Sequence, residues 1–348
     1  MHAGARGRRV LVIEHNAEPG AKIRISGGGR CNFTNLNSAP ERFISANPHF
    51  ARSALARHTQ HDFIALVRRH GIAFYEKTLG QLFCDGARSS QKIVRMLLDE
   101  CAAGGVELRT QCRVLAVRRG TRFVVETSQG TFESETLCVA TGGLSIPKLG
   151  ASGFAFDIAR QFGVPIIPCR PGLAPLTFPE TDLVWMRALA GVSAEAIIGA
   201  GKISFREAAL FTHRGMSGPA ILQISSYITP PNECISVDWL PDATADVLVA
   251  AKRARPQALP KTVLAQLLPE RLAAALAGAH PARPLSDWRD DALMAFTERH
   301  IKRASLKPNG TEGYAKAEVM AGGVDTNALS QQTMECRAVG GLFFIGEA

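Results

Sequence analysis

The sequence predicts an α/β protein, in which a layered domain of strands and helices is interrupted and later resumed. Three observations predict this architecture. The first half of the chain follows the order strand, helices, strands, and four prolines between Pro165 and Pro175 then mark a boundary. The final stretch GLFFIGE returns to the pattern of a buried strand. We therefore expect a first domain over 1–170, a β-rich insert over 171–242, a small helical domain over 243–306 and a return to the first domain over 307–348.

The first strand is VLVIE, Val10 to Glu14, an apolar run closed by an acid, as is typical of a strand buried on both faces of a parallel sheet. The preceding HAGARGRR is predicted to end a helix. Further helices are predicted at Phe50 to Arg57, at Asp62 to His70, and from a cap at Ser89 or Ser90 to Gly104.

The stretches VELRTQCRVLAVRR, RFVVETSQGTFES and TLCVATGG predict strands and a hairpin, and SGFAFDIARQFG predicts a helix. Within the insert, AIIGAGKISF, ALFTHRGMSG and CISVDWLP predict a mainly β region. After it, ADVLVAAKRA, KTVLAQLLPERLAAALAGA and SDWRDDALMAFTERHI carry apolar residues at the spacing of helices.

The composition excludes several classes of protein. With 348 residues and 46% hydrophobic content the chain can bury a sizeable core. It contains no apolar run of the roughly 18 residues that a membrane helix needs and no signal-peptide core, so we expect a cytoplasmic protein without a membrane partner. The eight cysteines are scattered without a CxxC pair, so reduced thiols and no bound metal are expected.

The net charge of +9, from 40 basic and 31 acidic residues, suits an anionic partner. The basic residues occur in small separated groups, and no group is interleaved with aromatic residues as in a base-stacking platform. Each group is therefore interpreted as a solvated face, and a nucleic-acid partner is judged unlikely.

The stretch KIRISGGGRCNFTN, Lys22 to Asn35, combines a run of three glycines with polar side chains. Such a run allows positive φ and lets another molecule, such as a phosphate or a flat ring, approach the main chain closely. The alternative is a flexible surface turn.

Three further features follow predicted strands. They are Glu14 after the first strand, ATGG at Ala140 to Gly143, and Gly-Glu at Gly346 and Glu347. An acid in such a place can bind ribose or polyol hydroxyls, and a double glycine lets a flat cofactor lie against the backbone. Each feature alone is also common at an ordinary strand end, whereas the three in this order are harder to dismiss.

Together KIRISGGGRCNFTN, CVATGG, LFTHRGMSGPAILQISSY, NGTEGYAKAEVMAGGVDT and TMECRAVGGLFFIGE resemble the signature blocks of the bacterial NAD(P)/FAD-dependent oxidoreductases, the aminoacetone-oxidase-like flavoproteins. The resemblance implies a two-dinucleotide-type, Rossmann-like FAD domain with Glu14 on the adenosine ribose and Glu347 on the ribitol. The residues expected to touch FAD are Glu14, Lys22, Ser26, Gly27, Gly28, Gly29, Arg30, Asn32, Thr141, Gly142, Gly143, Gly346 and Glu347.

The chain departs from this family in two places. Only 13 residues precede Glu14, which leaves no room for the first strand and the GxGxxG loop, and the chain stops at Ala348, directly after Gly-Glu. The expectation is a form truncated at both ends, with impaired FAD binding.

The resulting functional hypothesis is an FAD-dependent oxidoreductase of a small molecule, with NAD(P)H as a candidate electron donor and Arg30, Cys31 and His213 as weak catalytic candidates. Neither the substrate nor the oligomeric state is specified by the sequence. The alternative, suggested by a pI near 9.4, is a nucleic-acid-binding protein on a flavoprotein scaffold without redox turnover.

Overall fold

The computed structural model describes residues 1–231, 233–278 and 283–348. The helices along it are α1 (His2–Ala5), α2 (Ala21–Gly29), α3 (Phe50–Arg57), α4 (Gln60–Arg69), α5 (Ser90–Ala103), α6 (Phe154–Gln161), α7 (Glu180–Ala188), α8 (Pro219–Ser225), α9 (Val247–Ala254), α10 (Pro260–Leu264), α11 (Glu270–Ala277) and α12 (Asp290–Thr297). A π-helical turn, Glu298–Lys302, continues α12.

The strands are β1 (Leu11–Ile13), β2 (Asn32–Asn35), β3 (Phe74–Glu76), β4 (Gln81–Cys84), β5 (Glu107–Arg109), β6 (Val114–Arg119), β7 (Phe123–Thr127), β8 (Gly130–Ser134), β9 (Leu137–Val139), β10 (Ile166–Gly172), β11 (Leu176–Thr177), β12 (Ser193–Ala200), β13 (Ile203–Thr212), β14 (Gly215–Ser217), β15 (Ile235–Asp238), β16 (Ala304–Leu306), β17 (Gly310–Thr311), β18 (Val319–Val324) and β19 (Leu342–Phe344).

The chain forms two compact units. The first contains 1–143, 148–167 and 323–348, and the second contains 144–147 and 168–322. The C-terminal segment thus belongs to the same unit as the N-terminus. The finer division at 170, 242 and 306 stays a prediction.

The first unit contains parallel strand pairs and helices, which agrees with the predicted α/β class. Strand β1 pairs in parallel with β5, and β9 pairs in parallel with β19. Helix α4 begins where Thr59 and Asp62 cap it reciprocally: the Thr59 amide donates to the Asp62 carboxylate at 2.8 Å, and the Asp62 amide donates to the Thr59 hydroxyl at 3.2 Å.

Two antiparallel sheets complete this unit. Strands β6, β7 and β8 form a meander whose β7–β8 hairpin was predicted from the sequence. Strands β2, β4 and β3 form the other sheet. One of its faces packs, through Phe33, Phe74 and Cys84, on a hydrophobic cluster that includes Leu66 and Ile93 from α4 and α5.

The second unit is built on a seven-stranded sheet in the order β16-β15-β12-β13-β14-β11-β17, whose pairings are antiparallel. Its long β12–β13 hairpin packs against α8. Helices α9 to α12 share one large hydrophobic core with this sheet, in which the rings of Phe211 and Trp239 stack with centroids 5.4 Å apart.

Candidate functional site

The parallel pair β9–β19 brings together two of the predicted cofactor segments. The Ile345 amide donates to the Val139 carbonyl at 3.0 Å, which extends the pairing to the ends of both strands. Thr141, Gly142 and Gly143 follow β9, and Gly346 and Glu347 follow β19. All five residues therefore lie at the carboxyl edge of the pair, where ligands bind in open α/β sheets.

Lys22 joins this edge from α2. Its ammonium group donates to a carboxylate oxygen of Glu347, and both side chains are partly exposed. Helix α2 is itself held on α5, since the Ser90 hydroxyl donates to the Arg24 carbonyl at 2.9 Å. An acid and a base from opposite ends of the sequence thus meet beside the glycines that follow β9 and β19.

Glu14 lies directly after β1, at the carboxyl end of the other parallel pair. Its carboxylate accepts the Asn16 amide at 2.7 Å, and its carbonyl accepts the Cys112 amide at 3.0 Å. The Asn16 side chain in turn donates to the Leu149 carbonyl at 3.2 Å. The carboxylate is therefore held in place and stays about one-quarter exposed.

The glycine run lies at the carboxyl end of α2, whereas the sequence suggested a loop throughout. The backbone leaves helical angles at Ser26, Gly27 and Gly28, and the two glycines have φ of 58° and 66°. The chain next turns into β2. Gly27 lies against the Phe83 ring, where an added Cβ would stand 2.6 Å from a ring carbon, whereas Gly28 faces open space.

Open space beside bare backbone recurs at the β9–β19 edge. A Cβ atom added at Gly28, Gly142 or Gly346 would meet no atom within 4 Å, and all three residues have positive φ. A flat or polyhydroxylated molecule can therefore approach the main chain there without a steric clash. Two acids at strand ends and these three open glycines fit the ribose and ring portions of a dinucleotide cofactor.

Arg30 and Asn32 lie just beyond the glycine turn, and both are exposed. The Arg30 guanidinium donates to the Tyr75 hydroxyl at 3.2 Å. The side-chain amide of Asn32 is oriented with its nitrogen toward two backbone carbonyls. This nitrogen donates to the carbonyls of Thr34 and Leu82 at 3.2 and 3.3 Å. Arg30 thus extends from the turn onto the β2–β4–β3 sheet.

Cys31 packs inside the first unit. Its side chain is buried beside Cys84 in the hydrophobic cluster under the β2–β4–β3 sheet. Burial raises the pKa of Cys31, and burial together with the nearby Cys31 raises the pKa of Cys84 to about 11. Both thiols are protonated at neutral pH, which makes them poor nucleophiles.

Thiol alkylation tests this burial. At mildly alkaline pH we expect iodoacetamide to modify the exposed Cys234 rapidly, and to modify Cys31 and Cys84 only after denaturation. Because folding raises these two pKa values, their contribution to stability is present below the ordinary thiol pKa of 9.0 and is lost as the pH rises above it. Peptide mapping after timed labelling measures the rates; native labelling of Cys31 at the rate of Cys234 would contradict the burial.

His213 belongs to the second unit, unlike the other predicted site residues. It lies in the turn between β13 and β14, its side chain is exposed, and its carbonyl accepts the Arg187 guanidinium at 3.3 Å. This contact joins two residues of the second unit.

The sequence analysis did not predict β3 and β4, and it therefore did not name three residues that the structure places near Arg30: Tyr75, Lys77 and Phe83. The signal was present in AFYEKTLGQLFC, which has two short strand-like runs around a Thr-Leu-Gly turn. Runs of three or four residues are easily passed over in a single sequence. Their pairing places an aromatic pair beside Arg30.

Comparison with known proteins identifies the family. The model of the HI0933-like protein Rossmann domain matches residues 1–348. The chain belongs to this family. A Rossmann domain binds dinucleotides, so the family match supports the predicted fold class and the expectation of FAD. The same match, which runs over all 348 residues, does not support the expectation of a truncated chain.

Two relatives of this chain bear the name ribosomal RNA dihydrouridine synthase. The one from Escherichia coli K12 is 50% identical over 99% of this chain and 86% of its own length. The one from Haemophilus influenzae Rd is 44% identical over 98% of this chain and 86% of its own length. Among solved structures, E. coli quinol fumarate reductase matches with a TM-score of 0.40 and 12% identity, over 99% of this chain and 61% of that one.

These names overturn two expectations. The hypothesis of a small-molecule oxidoreductase is wrong, as is the judgement that a nucleic-acid partner is unlikely, because both relatives are named for an enzyme that acts on RNA. The nucleic-acid alternative is favoured instead. The resemblance to aminoacetone-oxidase-like enzymes pointed to the right flavoprotein fold but to the wrong substrate class. The expectation that the chain is an enzyme agrees with both names, since each is the name of an enzyme.

The small, separated basic groups of the sequence do not exclude a nucleic-acid partner, because the charges of a binding surface need not be contiguous in sequence. No helix within 1–231, 233–278 and 283–348 is both long and apolar enough to cross a membrane.

Proposed function

We propose that this protein is a flavin-dependent enzyme that reduces a uridine of ribosomal RNA to dihydrouridine. The observation that carries the proposal is the identity of 50% and 44%, over nearly the whole chain, to two relatives named for that activity. The open glycines and strand-end acids of the first unit support it, since they suit FAD. Bound FAD would supply the hydride chemistry that saturating a uracil double bond requires.

The residues of the first unit would hold this cofactor through distinct contacts. Glu14, after β1, would accept hydrogen bonds from the adenosine ribose hydroxyls. Glu347 would accept hydrogen bonds from the ribitol, and Lys22, bonded to the same carboxylate, would orient it. Gly28 and Gly142 would let the cofactor lie against the main chain.

The three catalytic candidates differ in what they can contribute. The Arg30 guanidinium is a planar cation with several N–H donors, which suits it to binding an anion or stacking on a base. The Cys31 thiol lies in the core, and we assign it a packing role. His213 lies in the second unit and remains a catalytic candidate there.

The reaction itself is the direct test. Purified protein loaded with FAD is incubated with in vitro transcribed, unmodified ribosomal RNA and either NADH or NADPH, and the RNA is then digested to nucleosides. We expect mass spectrometry to detect dihydrouridine, heavier than uridine by two hydrogens, only when FAD and a nicotinamide donor are both present. NAD(P)H as the donor is part of the proposal.

One outcome would sink the proposal. If the bound flavin is reduced by the donor and the RNA is bound, yet no dihydrouridine forms on transcripts of either ribosomal subunit, the protein is an RNA-binding flavoprotein of another activity. Matched incubations without FAD exclude contamination as a source of the product.

A further inference from the structure

One face of the β2–β4–β3 sheet carries positive charges interleaved with aromatic rings. Tyr75 and Phe83 are paired residues on β3 and β4, with ring centroids 6.2 Å apart and planes at 25°. The Arg30 guanidinium donates to the Tyr75 hydroxyl at 3.2 Å, and the Lys77 ammonium lies 5.4 Å from the centre of the Phe83 ring. We call Arg30, Tyr75, Lys77 and Phe83 the Arg30–Tyr75 face.

This face lies opposite the core side of the sheet. Successive residues of a strand point to opposite faces, and Phe74 and Cys84 point into the hydrophobic cluster. Tyr75 and Phe83 are outside that cluster. Tyr75 is partly exposed, and Arg30 and Lys77 are exposed. The partly exposed Tyr75 ring, stacked on the buried Phe83 ring and flanked by two exposed cations, therefore lies on the side of the sheet away from this cluster.

The positive charges of this face are not neutralised. No carboxylate forms an ion pair with Arg30 or Lys77 within the described ranges of the chain. The nearby acid Glu76 follows Tyr75 on β3 and therefore points to the opposite face of the sheet. Its carboxylate accepts the Gly80 amide at 3.0 Å, within the β3–β4 turn. Both cations therefore remain available to an anionic ligand.

We propose that the Arg30–Tyr75 face binds single-stranded RNA next to the reacting nucleotide. A base would stack on the Tyr75 ring and the Arg30 guanidinium plane, and Lys77 would contact a phosphate. Aromatic and guanidinium planes are the surfaces on which proteins stack unpaired RNA bases, and basic side chains beside them follow the backbone. Arg30 directly follows the glycine turn assigned to the cofactor, so this assignment rests on the proposed function.

Stacking on Tyr75 is tested by fluorescence anisotropy with a labelled oligouridylate of about twelve nucleotides, a length within the span of single-strand sites. Tyr75→Leu keeps apolar bulk and removes the ring, and we expect it to weaken binding by the full chain about tenfold. Tyr75→Phe, which keeps the ring and loses the hydroxyl bonded to Arg30, should stay within about threefold of wild type.

Lys77→Gln tests the phosphate contact without disturbing the fold, because Lys77 is exposed. We expect its affinity to fall and the slope of log affinity against log salt to lose about one unit. Arg113→Ala is the matched control: it removes an exposed charge of the same unit whose side chain has no ion-pair partner within the described ranges, and it should leave both quantities near wild type.

Photo-crosslinking gives a readout that does not depend on the stability of the variants. An oligonucleotide containing 4-thiouridine should crosslink to the peptide that carries Tyr75, the exposed ring of the face. Affinity unchanged in both Tyr75→Leu and Lys77→Gln, or crosslinks confined to peptides outside 30–83, would overturn the assignment.

Failure of this inference and failure of the proposed function remain distinguishable. If wild type forms dihydrouridine and Tyr75→Leu binds RNA normally, the enzyme is correctly assigned and its RNA surface lies elsewhere. If wild type forms no dihydrouridine, but both variants lose RNA affinity as expected, the surface is correct and the reaction is not.

Discussion

Gly27→Ala is expected to lower the free energy of unfolding of the first unit by about 2 to 5 kcal/mol, a large share of the stability of a domain. Two costs combine. Gly27 has φ of 58°, which strains an L residue. Its new Cβ would stand 2.6 Å from a ring carbon of Phe83 and 3.0 Å from the backbone nitrogen of Asn32. Phe83 is only 5% exposed, so its ring has little room to move aside.

Gly28→Ala is the matched control for that change. Gly28 has a similar φ of 66°, yet an added Cβ meets no atom within 4 Å, so only the backbone strain of about 1 to 2 kcal/mol applies. The two variants separate the steric clash from the strain. Equal destabilisation of both would show that Phe83 does not pack on the turn as described.

Hydrogen exchange measured by mass spectrometry can locate the effect. Peptides covering α2, β4 and α5 should lose protection in Gly27→Ala. The chain has three tryptophans, Trp185, Trp239 and Trp288, all of which lie in the second unit. Their fluorescence therefore reports on the other unit and should keep its wild-type unfolding midpoint if the damage is local.

Glu14→Ala is expected to weaken FAD binding by at least about tenfold, since hydrogen bonds to a charged group contribute about 1.5 to 3 kcal/mol each. The proposed contact is between the Glu14 carboxylate and the adenosine ribose. Deflavinated protein is titrated with FAD, and the quenching of flavin fluorescence gives the dissociation constant. Glu14→Gln, which retains an acceptor for the Asn16 amide, should also lose affinity if the charge matters, but should keep the local backbone in place.

Glu18→Ala provides the control for lost negative charge. The Glu18 carboxylate is 72% exposed and lies 3.4 Å from the Arg24 guanidinium, on the same connection between β1 and α2. Its removal should leave FAD affinity within about threefold of wild type, because an exposed ion pair contributes little. Indistinguishable affinities for Glu14→Ala and Glu18→Ala would remove Glu14 from the cofactor site.

Local patterns in the sequence were sufficient to predict many elements. The apolar run ending in Glu14 became β1, and the helix predicted at Phe50 to Arg57 has those bounds in the structure. Gly142-Gly143 and Gly346-Glu347 were predicted to follow strands. In the structure they follow β9 and β19, which pair in parallel. These features depend on backbone preferences and side-chain periodicity within a few residues, which a sequence displays directly.

Features made by distant residues were not predicted. Cys31 could equally have faced a cofactor or packed in the core, and its burial against Cys84 depends on how β2 joins β4. The Arg30–Tyr75 face combines Arg30 with residues from a hairpin more than forty positions later. A search for basic residues interleaved with aromatics along the chain cannot find such a surface.

The sequence alone therefore established the α/β class, the strand ends that carry Glu14, Gly142 and Glu347, and a family resemblance that pointed to FAD. Folding decided which side chains lie together: Lys22 with Glu347, and Arg30 with Tyr75, whose ring stacks on the buried Phe83. The physical reason is that secondary structure follows from neighbouring residues, whereas sheet register and burial bring together residues from anywhere in the chain. Arg30 and Lys77 belong to none of the small basic groups of the sequence, and they could be proposed as one binding surface only after that register was known.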